Sequence, residues 1–546
     1  MKKLLLLALI SLLAIAVVSA QDWQMTNYDN AMSRHSPQTI IGKNNVNQLQ
    51  VKWILNTNNT IENPPLIVGN TGYTQVNALM QVIAFDLNTG LTKWKYTPVV
   101  PTIVKLPRST TSHGITYENG IIYAPTGGTG TIVALNASTG KKIWESQPLR
   151  PLGGAFRISA PPLIWKNYVV AGSALGDLPP FGFPERGSLT GLDKKTGKML
   201  WQIPLAVGAW VTGALNNSTN GGADAWTGGA IDTDKGIVYI PVGNAAPDFD
   251  ASTRPGYNNY SSNVIAVNIT NGKILWATPF VAKGSIFNAT YPDTHDWDTA
   301  WGTNLITVNM NGTQKKIVIG HDKRGDIAAL DAATGKPIWW RNLAVLYNVN
   351  AAPTKNGTTT WPGPGSGIED FTAFDNNTIY AAVSNQGMTF FNIPGMTVIP
   401  DFKTMTNGIG NGSIVALDIK TGNIKWQVKT EFPTWCSPLV TNGVVFAGHV
   451  TSMGVPYNYS SDFGGPTETP QISSGILMAL DADTGKELWE FNVGAQVAIG
   501  GPSIGNGMLL VPTGGGQTTN AGGYIVAFGL PGNMSSNMTS STMPKM

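Results

Sequence analysis

The stretch VIAFDLNTGLTKW, residues 82–94, decides the fold because its pattern recurs six more times along the chain. Each copy has an apolar run, a turn that contains Gly, and a Trp four residues after that Gly. The apolar run predicts a buried strand, the Asp/Asn-x-x-Thr-Gly segment predicts a turn in which Gly takes a positive φ, and Trp falls on the returning strand. The six further copies are IVALNASTGKKIW to Trp144, LTGLDKKTGKMLW to Trp201, VIAVNITNGKILW to Trp276, IAALDAATGKPIW to Trp339, IVALDIKTGNIKW to Trp426 and LMALDADTGKELW to Trp489.

One hairpin of this kind is too small to bury its own sheet, so the repeat indicates the blades of a β-propeller. An eighth strand, YIVAFGLPG at residues 524–532, lacks the Trp. We expect the N-terminal segment NVNQLQVKW, which ends at Trp53, to supply its missing outer strand. The sequence therefore predicts an all-β, eight-bladed propeller whose ring is closed by the N- and C-terminal strands. A solenoid of β units is the alternative, and this complement between the two ends argues against it.

The two ends of the chain differ in composition from the repeats. MKKLLLLALISLLAIAVVSA, residues 1–20, has two Lys, an apolar run and a small-residue ending, which predict a signal peptide cut before Gln21. An uncleaved anchor is the alternative for this segment, and no later stretch is expected to cross a membrane. Residues 21–531 are expected to form the propeller, and residues 532–546, rich in Ser, Asn and Met, are expected to be a disordered tail.

The composition limits the classes of function. Cys436 is the only cysteine, which excludes intrachain disulfides and CxxCH haem attachment. Charged residues make up 12% of the chain, against a usual share of about 25%. A surface with so few carboxylates loses little in acid, which suits an acidic exterior, although a merely neutral surface is the alternative. The 14 Asn-X-Ser/Thr sequons suit a glycosylated, secreted protein that is extracellular or pseudo-periplasmic. The net charge of +3 comes with no basic stripe, so nucleic acid is not an expected partner.

The opening DWQMTNYDNAMSRHSP, the following NVNQLQVKW and the Asp-x-x-Thr-Gly-x-x-x-Trp repeat resemble the quinoprotein dehydrogenases. Members of that family carry pyrroloquinoline quinone (PQQ) on an eight-bladed propeller, and the repeat is similar to their docking motif. The resemblance covers nearly the whole chain after the signal peptide. It implies an eight-bladed propeller with a cofactor site.

The resemblance also implies positions for the cofactor. In ADAWTGGAIDTDKGIVYIPVGNAAP, Trp226 stands where the family has the Trp that floors the quinone, and Asn244 stands where it has a calcium ligand. In RISAPPLIWKNYVVAGSALGDL, Ser159 matches a hydroxyl that contacts PQQ, and Asp177 matches a calcium-binding Glu. Because Asp is one methylene shorter than Glu, the calcium site is a weaker expectation here.

The stretch THDWDTAWG, residues 294–302, places Asp298 at the family's catalytic Asp. VIGHDKRGDIAALD places Lys323 at the Arg or Lys that contacts the quinone oxygens. Asp296, beside Asp298, is interpreted as a turn residue. The chain also departs from the family, because the vicinal cysteine pair is absent and STTSHG offers only Ser112 and His113 where the family has an Arg.

Within this superfamily, the length, signal peptide, low charge and Asn/Thr-rich composition resemble the secreted tetrathionate hydrolases of acidophilic sulfur oxidisers. This resemblance implies an enzyme that cleaves tetrathionate with water to thiosulfate, sulfate and sulfur products, with no required cofactor. Asp298 and Lys323 would be catalytic, and Asp298 would orient or deprotonate the water. The anionic sulfur substrate would need cationic side chains, all of which are expected to be charged in acid. The candidates are His113, His295, Arg324, Arg157 and Arg186, with His321 nearby.

Two alternatives are kept. The first is a PQQ- and Ca²⁺-dependent alcohol or sugar dehydrogenase, in which Asp298 accepts the substrate hydroxyl proton and Lys323 polarises the quinone. In it, Trp226, Ser159, Asn244 and Asp177 would bind cofactor, and Asp177, Asn244 and Asp298 would bind calcium. The second is a non-catalytic propeller that scaffolds an assembly. A homo-oligomer is compatible with all three functions. The single-copy cluster around Asp298 argues against the scaffold.

Overall fold

The computed structural model shows an eight-bladed β-propeller made of antiparallel four-stranded sheets. The predicted fold class is therefore confirmed. The structure describes residues 22–77, 79–99, 111–149, 158–174, 186–208, 213–214, 217–218, 221–246, 254, 258–280, 295–299, 301–392, 399–401, 410–451, 474–514 and 523–532. The predicted signal peptide and nearly all of the predicted tail lie outside these residues.

We number the blades in chain order and give the strands of each blade in the order in which they pair. The first four blades are Leu66–Val68, Thr71–Val76, Gln81–Asp86 and Thr92–Tyr96 (blade 1); Thr116–Glu118, Ile121–Pro125, Ile132–Asn136 and Lys142–Glu145 (blade 2); Leu163–Trp165, Tyr168–Gly172, Ser188–Asp193 and Met199–Pro204 (blade 3); and Ala230–Asp232, Ile237–Val242, Asn263–Asn268 and Ile274–Pro279 (blade 4). The others are Asn304–Met310, Thr313–His321, Asp326–Asp331 and Pro337–Asn342 (blade 5); Ala373–Phe374, Thr378–Gln386, Gly410–Asp418 and Ile424–Thr430 (blade 6); Leu439–Thr441, Val444–Val450, Gly475–Asp481 and Glu487–Asn492 (blade 7); and Ser503–Gly505, Met508–Pro512, Tyr524–Gly529 and Gln50–Asn56 (blade 8).

Short elements decorate the ring. The strand His35–Ser36 runs parallel to the first strand of blade 7, and a 3-10 helix covers Val46–Gln48. Two two-stranded pairs and one three-stranded sheet lie in the connections, formed by Gly213–Ala214 with Asn217–Ser218, Gly221–Gly222 with Ala245–Ala246, and Thr358–Thr360 with Met388–Phe391 and Ile399–Asp401. Among the described residues, no helix is long and apolar enough to span a membrane.

The inner strands of each blade are apolar on both faces because every blade packs between two others. All nine residues of Thr378–Gln386 are buried, for example, and alternation of apolar and polar residues is lost. The outer strands alternate instead, as in Ile424–Thr430, because one of their faces meets solvent. The core is therefore a series of layers between blades.

The ring closes as the sequence predicts. Gln50–Asn56 pairs antiparallel with Tyr524–Gly529, with Trp53 opposite Ala527, and so forms the outer strand of blade 8. Earlier in the same N-terminal segment, the fully buried guanidinium of Arg34 donates hydrogen bonds to the carbonyl oxygens of Ser437, Pro438 and Pro502. The two ends of the chain are therefore joined both at the rim and deeper in the ring.

Candidate active site

The candidate site is built from the segments that lead into the first strands of the blades. Because all blades share one topology, these segments enter the ring at the same end and converge there. The residue four positions before the first strand is buried or half-buried in the seven blades where it is described: Glu62, Ser112, Ser159, Trp226, Glu369, Trp435 and Ile499. Together with the loop that carries Asp298 and the turn that carries Lys323, they form the site.

Asp298 and Lys323 form a buried ion pair. Lys323 Nζ lies 2.9 Å from Asp298 Oδ1, and the backbone N–H of Lys323 donates to the Asp298 carbonyl at 3.1 Å. Burial alone would lower the pKa of Lys323, but the charges of Asp296, Asp298 and Glu369 raise it well above its usual value. The lysine is therefore a permanent cation held beside the carboxylate.

Asp296 does more than the turn role inferred from the sequence. Its Oδ2 lies 3.1 Å from Lys323 Nζ and the residue is 7% exposed, so that interpretation is wrong. Glu369 Oε1 lies 4.0 Å from the same nitrogen. Burial, reinforced by Asp296 and opposed by Lys323, raises the pKa of Glu369 to about 7. One ammonium thus faces three carboxyl groups.

Trp226 lies against this ion pair. Its indole Nε1 donates to Asp298 Oδ2 at 3.3 Å, and Lys323 Nζ lies 5.8 Å from the ring centroid. The ring is only partly buried, and Ser159 Oγ donates to the Trp226 carbonyl at 3.2 Å. A half-exposed indole beside a lysine offers a flat surface on which an aromatic cofactor can stack.

His113 belongs to a buried aromatic cluster. Its ring centroid lies 5.0 Å from that of Trp226 and 4.9 Å from that of Trp301. Burial lowers the pKa of His113 to about 3 and that of His321 to about 4. The expectation that these two histidines are cationic in acid is therefore wrong over most of the acidic range, since both stay neutral above those values.

The other predicted substrate contacts differ in their surroundings. Arg324 Nη1 bonds Asp326 Oδ2 at 2.6 Å, and its guanidinium lies 5.5 Å from the Trp297 ring, so its charge is already paired. His295 is fully buried with its ring 3.8 Å from that of Trp297. Arg186 forms a β-bridge with Gly222 beside the site. Arg157 and Asp177 lie outside the described residues.

Oxygen donors for a cation surround Gly243. A Cβ at that position would overlap Asp224 Oδ1 and would lie 3.4 Å from Asp298 Oδ2. The next residue, the buried Asn244, adds an amide. Carboxylate and amide oxygens are the donors that hard cations prefer. The described residues contain no group of three His, Cys, Asp or Glu side chains that could hold a metal.

A partly exposed indole, a buried lysine–carboxylate pair and neighbouring carboxylate oxygens thus lie together where the segments that lead into the blades converge. The comparisons with known proteins identify the family. Residues 23–345 match the family described as "Glucose/ethanol/alcohol dehydrogenase, beta-propeller domain", and the chain belongs to it. Residues 260–434 also match a family described as "Outer membrane protein assembly factor BamB".

Several relatives are similar over most of their length. A quinoprotein alcohol dehydrogenase, PedH, of Pseudomonas putida is 25% identical over 86% of this chain and 81% of its own. A lanthanide-dependent methanol dehydrogenase of Methylacidiphilum fumariolicum is 25% identical over 88% and 82%. Among solved structures, a europium-containing methanol dehydrogenase has a TM-score of 0.73 at 22% identity, with 94% of this chain and 98% of that chain covered. These structures share the fold.

The predicted tetrathionate hydrolase activity is wrong. The relatives named above are quinoprotein alcohol and methanol dehydrogenases, which are oxidoreductases and not hydrolases of sulfur-sulfur bonds. A dianion needs available positive charge, and three of the expected contacts offer little of it. Lys323 faces three carboxyl groups, Arg324 is paired with Asp326, and His113 stays neutral in all but strong acid.

Glu62, Asp224 and Glu369 are site residues that the sequence interpretation missed. Glu62 Oε2 lies 3.9 Å from His113 Nδ1, and burial together with the charge of Glu369 raises the pKa of Glu62 to about 8. The alignment of the blades could have identified Glu62 and Glu369 as site residues. Glu62 and Glu369 occupy the same position before their first strands as Ser159 and Trp226 occupy before theirs.

Proposed function

We propose that this protein is a PQQ- and metal-dependent dehydrogenase that oxidises the hydroxyl group of an alcohol or sugar. The observation that carries the proposal is the placement of Asp298, whose two carboxylate oxygens contact Lys323 Nζ and Trp226 Nε1 respectively. The similarity to an alcohol dehydrogenase and to a methanol dehydrogenase supports the same substrate class.

The residues present fit such a cofactor. Trp226 would provide the stacking surface, and Ser159 would fix the backbone of Trp226 through its hydrogen bond to the Trp226 carbonyl. Lys323 would contact the quinone oxygens. Asp298, Asn244 and Asp224 would hold the cation, with Asp177 as a further expected ligand. Bound there, an orthoquinone provides the acceptor for the two electrons removed from the substrate.

Asp298 would act as the general base. The ion pair with Lys323 favours the ionised carboxylate, which is the form that accepts a proton from a substrate hydroxyl. Both residues are buried, so the proton transfer takes place away from bulk water. Asp296 and Glu369 would hold Lys323 in position, because both carboxyl groups approach the same nitrogen.

We also propose export of the protein from the cytoplasm, which the composition of residues 1–20 supports. The small hydroxyl-bearing substrate and the cofactor would then both be met outside the cell. Detection of a mature form that begins at Gln21, by mass spectrometry of the protein secreted from an expression host, would support this. A protein that retains residues 1–20 in the membrane would contradict it.

Dye-coupled oxidation tests the function. Purified protein incubated with PQQ and either Ca²⁺ or a lanthanide ion should reduce an artificial electron acceptor when an alcohol or sugar is added. Asp298→Asn preserves shape but removes the base, so we expect turnover to fall by about 10²- to 10⁴-fold. Asp234→Asn is the matched control, because Asp234 is an exposed carboxylate paired with Lys316 far from the site.

A folded, cofactor-loaded Asp298→Asn variant with full activity would refute the assignment of the base. Folded wild-type protein that reduces no dye with any hydroxyl substrate would refute the dehydrogenase. In that case the non-catalytic scaffold becomes the better account of the propeller.

A further inference from the structure

We propose that a cavity beside the first strand of blade 3 is a binding site for a small neutral alcohol, a molecule that combines one hydroxyl group with a short hydrocarbon chain. The cavity lies between that strand and the N-terminal residues 22–36, which we call the axial segment. Neither Asp298 nor Lys323 lines it. The inference therefore goes beyond the proposed oxidation and does not depend on it.

The axial segment pairs with the inner strands around the ring. In six blades, the second residue of the first strand donates its backbone N–H to a carbonyl oxygen of this segment. At Ile67 of blade 1 the pairing is complete, because its N–H donates to the Trp23 carbonyl at 2.9 Å and its carbonyl accepts from the Trp23 N–H at 2.7 Å. The other donors are Tyr117, Ile231, Leu305, Phe374 and Val440, which bond to the carbonyls of Gln24, Asn30, Ala31, Ser33 and Arg34. Blades 3 and 8 lack this bond within the residues that the structure describes.

Blade 3 presents the same backbone groups as blade 1. Ile164 is the second residue of Leu163–Trp165, and it lies opposite Val169 just as Ile67 lies opposite Gly72. Because the register is the same, the N–H and C=O of Ile164 also point toward the axial segment. Neither group has a hydrogen-bond partner in the described part of the chain. One buried donor and one buried acceptor therefore face the cavity together.

The axial segment turns away from blade 3 and so leaves the space open. Gln24 bonds to blade 2 and Asn30 bonds to blade 4, and the residues between them make a turn. In that turn the Tyr28 N–H donates to the Met25 carbonyl at 3.0 Å, and Tyr28 has a positive φ of 77°. Residues 25–29 thus pass blade 3 without pairing with its first strand.

The walls of the cavity are mainly apolar. Its volume is about 320 Å³ when the solvent at its mouth is included. Met25 and Leu163 are only partly buried, so a ligand can enter from solvent. The flexible Met side chains adapt to ligands of different shape. The apolar lining consists of Met25, Met32, Pro161, Pro162, Leu163 and Ile164.

Asn27 adds a side-chain donor to this lining. The residue is 2% exposed, and its Oδ1 accepts a hydrogen bond from Arg34 Nη1 at 3.0 Å, which fixes the orientation of the amide. Its Nδ2 is buried and has no partner among the described residues. A buried donor without an acceptor is destabilising, so a ligand oxygen that accepts from Nδ2 is favoured.

These polar groups define the class of ligand. Asn27 Nδ2 and the Ile164 N–H are two donors, and the Ile164 carbonyl is one acceptor. A hydroxyl group is their complement, because it has two acceptor lone pairs and one donor. The charged residue that lines the cavity, Asp29, already accepts from the Ser33 N–H at 2.9 Å and from Ser33 Oγ at 2.8 Å. A charged ligand would therefore be buried without a counter-ion.

Three probes of equal size test this preference. 2-Propanol, acetone and acetate differ in their polar group but have the same number of non-hydrogen atoms. Each is titrated into full-length, cofactor-free protein, and binding is followed by saturation-transfer NMR. We expect 2-propanol to bind with a Kd of about 1 to 10 mM, as suits so small a ligand. Acetone should bind about three- to tenfold more weakly because it cannot donate to the Ile164 carbonyl, and acetate should not bind.

Two variants locate the binding in the cavity. Asn27→Asp keeps the acceptor for Arg34 but removes the Nδ2 donor, so we expect 2-propanol to bind at least about tenfold more weakly. Met25→Phe should weaken binding by filling the cavity while Asn27 stays intact. Asn258→Asp is the matched control, since the buried Asn258 also accepts from an arginine, Arg254 Nη1, at 2.8 Å but does not line the cavity. The melting temperature shows whether each variant folds.

Equal binding of 2-propanol to wild-type protein and to the folded cavity variants would overturn the proposal, and so would an equal loss in Asn258→Asp. Binding of acetate as tight as that of 2-propanol would refute the class of ligand. If wild-type protein binds none of the probes, the cavity holds water only and the proposal fails. None of these outcomes bears on the oxidation, because the variants leave Asp298, Lys323 and Trp226 unchanged.

Discussion

Two buried carboxyl groups, Glu62 and Glu369, give the fold a distinct pH dependence. Burial is the first cause of both raised pKa values, about 8 for Glu62 and about 7 for Glu369. The folded chain therefore keeps protons that the unfolded chain releases above its ordinary glutamate pKa of about 4.3. Stability from these groups is fully present below that value and is lost as the pH rises through the folded pKa values.

We expect Glu62 and Glu369 together to lower the free energy of unfolding of protein without added cofactor by about 6 kcal/mol between pH 5 and pH 8, since each contributes about 1.4 kcal/mol per pH unit up to its folded pKa. Asp322 and Asp370, whose pKa values burial also raises, add to the fall in wild type and variant alike. The double variant Glu62→Gln/Glu369→Gln should show a flatter profile, because neutral amides do not titrate. Urea unfolding at each pH measures the difference. Glu490→Gln, at an exposed glutamate, is the control that should keep the wild-type slope. A double variant with an unchanged slope would contradict the assignment.

Single residues of the site were predictable only where a family motif marks them. Asp298, Lys323 and Trp226 lie together as the resemblance implies, although their roles in the reaction remain proposals. Asp296 was misjudged because its partner, Lys323, lies on another segment that local sequence does not reveal. The charge of His113 was misjudged because its pKa depends on burial by side chains from other blades.

The constant spacing between Gly and Trp in the repeats allows the Trp of one blade to contact the turn of the next blade. The Trp of one blade packs on the turn Gly of the next blade and donates its indole N–H to a carbonyl of that turn. Trp339, for example, lies against Gly422 and donates to the Ile419 carbonyl at 2.8 Å. The same arrangement joins Trp53, Trp94, Trp144, Trp201, Trp276 and Trp426 to the turns that follow them.

The junction between blades 7 and 8 differs. Blade 8 lacks the Gly-containing turn, and Trp489 instead packs edge-on against Phe528, with ring centroids 5.5 Å apart. Within the described part of the chain, its indole N–H has no acceptor of the kind that the other seven use. Aromatic packing thus replaces the hydrogen bond at this one junction.

We therefore expect Trp339→Phe to destabilise the protein more than Trp489→Phe, by about 1 to 2 kcal/mol. The larger cost arises because Phe leaves the Ile419 carbonyl without its donor, whereas the Trp489 contact is mainly apolar. Denaturant unfolding of the two variants under the same conditions measures this difference. Equal losses would show that the indole hydrogen bond contributes little to the docking.

At the level of elements, the repeat predicted the third and fourth strands of seven blades and the turn between them, but not the first two strands. It could not predict that each Trp contacts the following blade, because spacing within a unit does not define its neighbours. It also could not predict the short ribbon of Gly221–Gly222 with Ala245–Ala246. Pairs of two residues carry too few apolar positions for a periodic pattern.

For the whole molecule, the missing Trp in YIVAFGLPG correctly pointed to a strand contributed by the other end of the chain. Tyr524–Gly529 and Gln50–Asn56 now form one sheet, so blade 8 exists only when the two ends meet. This contact joins residues that are hundreds of positions apart. Its formation carries a large entropic cost of loop closure, which a covalent link would reduce.

A disulfide across this closure should stabilise the ring more than one within a hairpin. Asn56 and Tyr524 are directly paired across the closure, so Asn56→Cys/Tyr524→Cys would link the two ends of the chain. Asn309 and Gln314 are exposed and directly paired within one hairpin, so Asn309→Cys/Gln314→Cys is the comparison. In the chain-entropy model, the ring-closing link contributes about 6 kcal/mol and the hairpin link about 2 kcal/mol. Each variant is compared with its own reduced form by thermal unfolding, which cancels the effect of the substitutions. The single native cysteine, Cys436, is buried and does not compete. The result against this prediction is that oxidation stabilises the ring-closing variant no more than the hairpin variant. In that case either the two ends stay associated in the unfolded chain or their contact does not determine the stability of the ring.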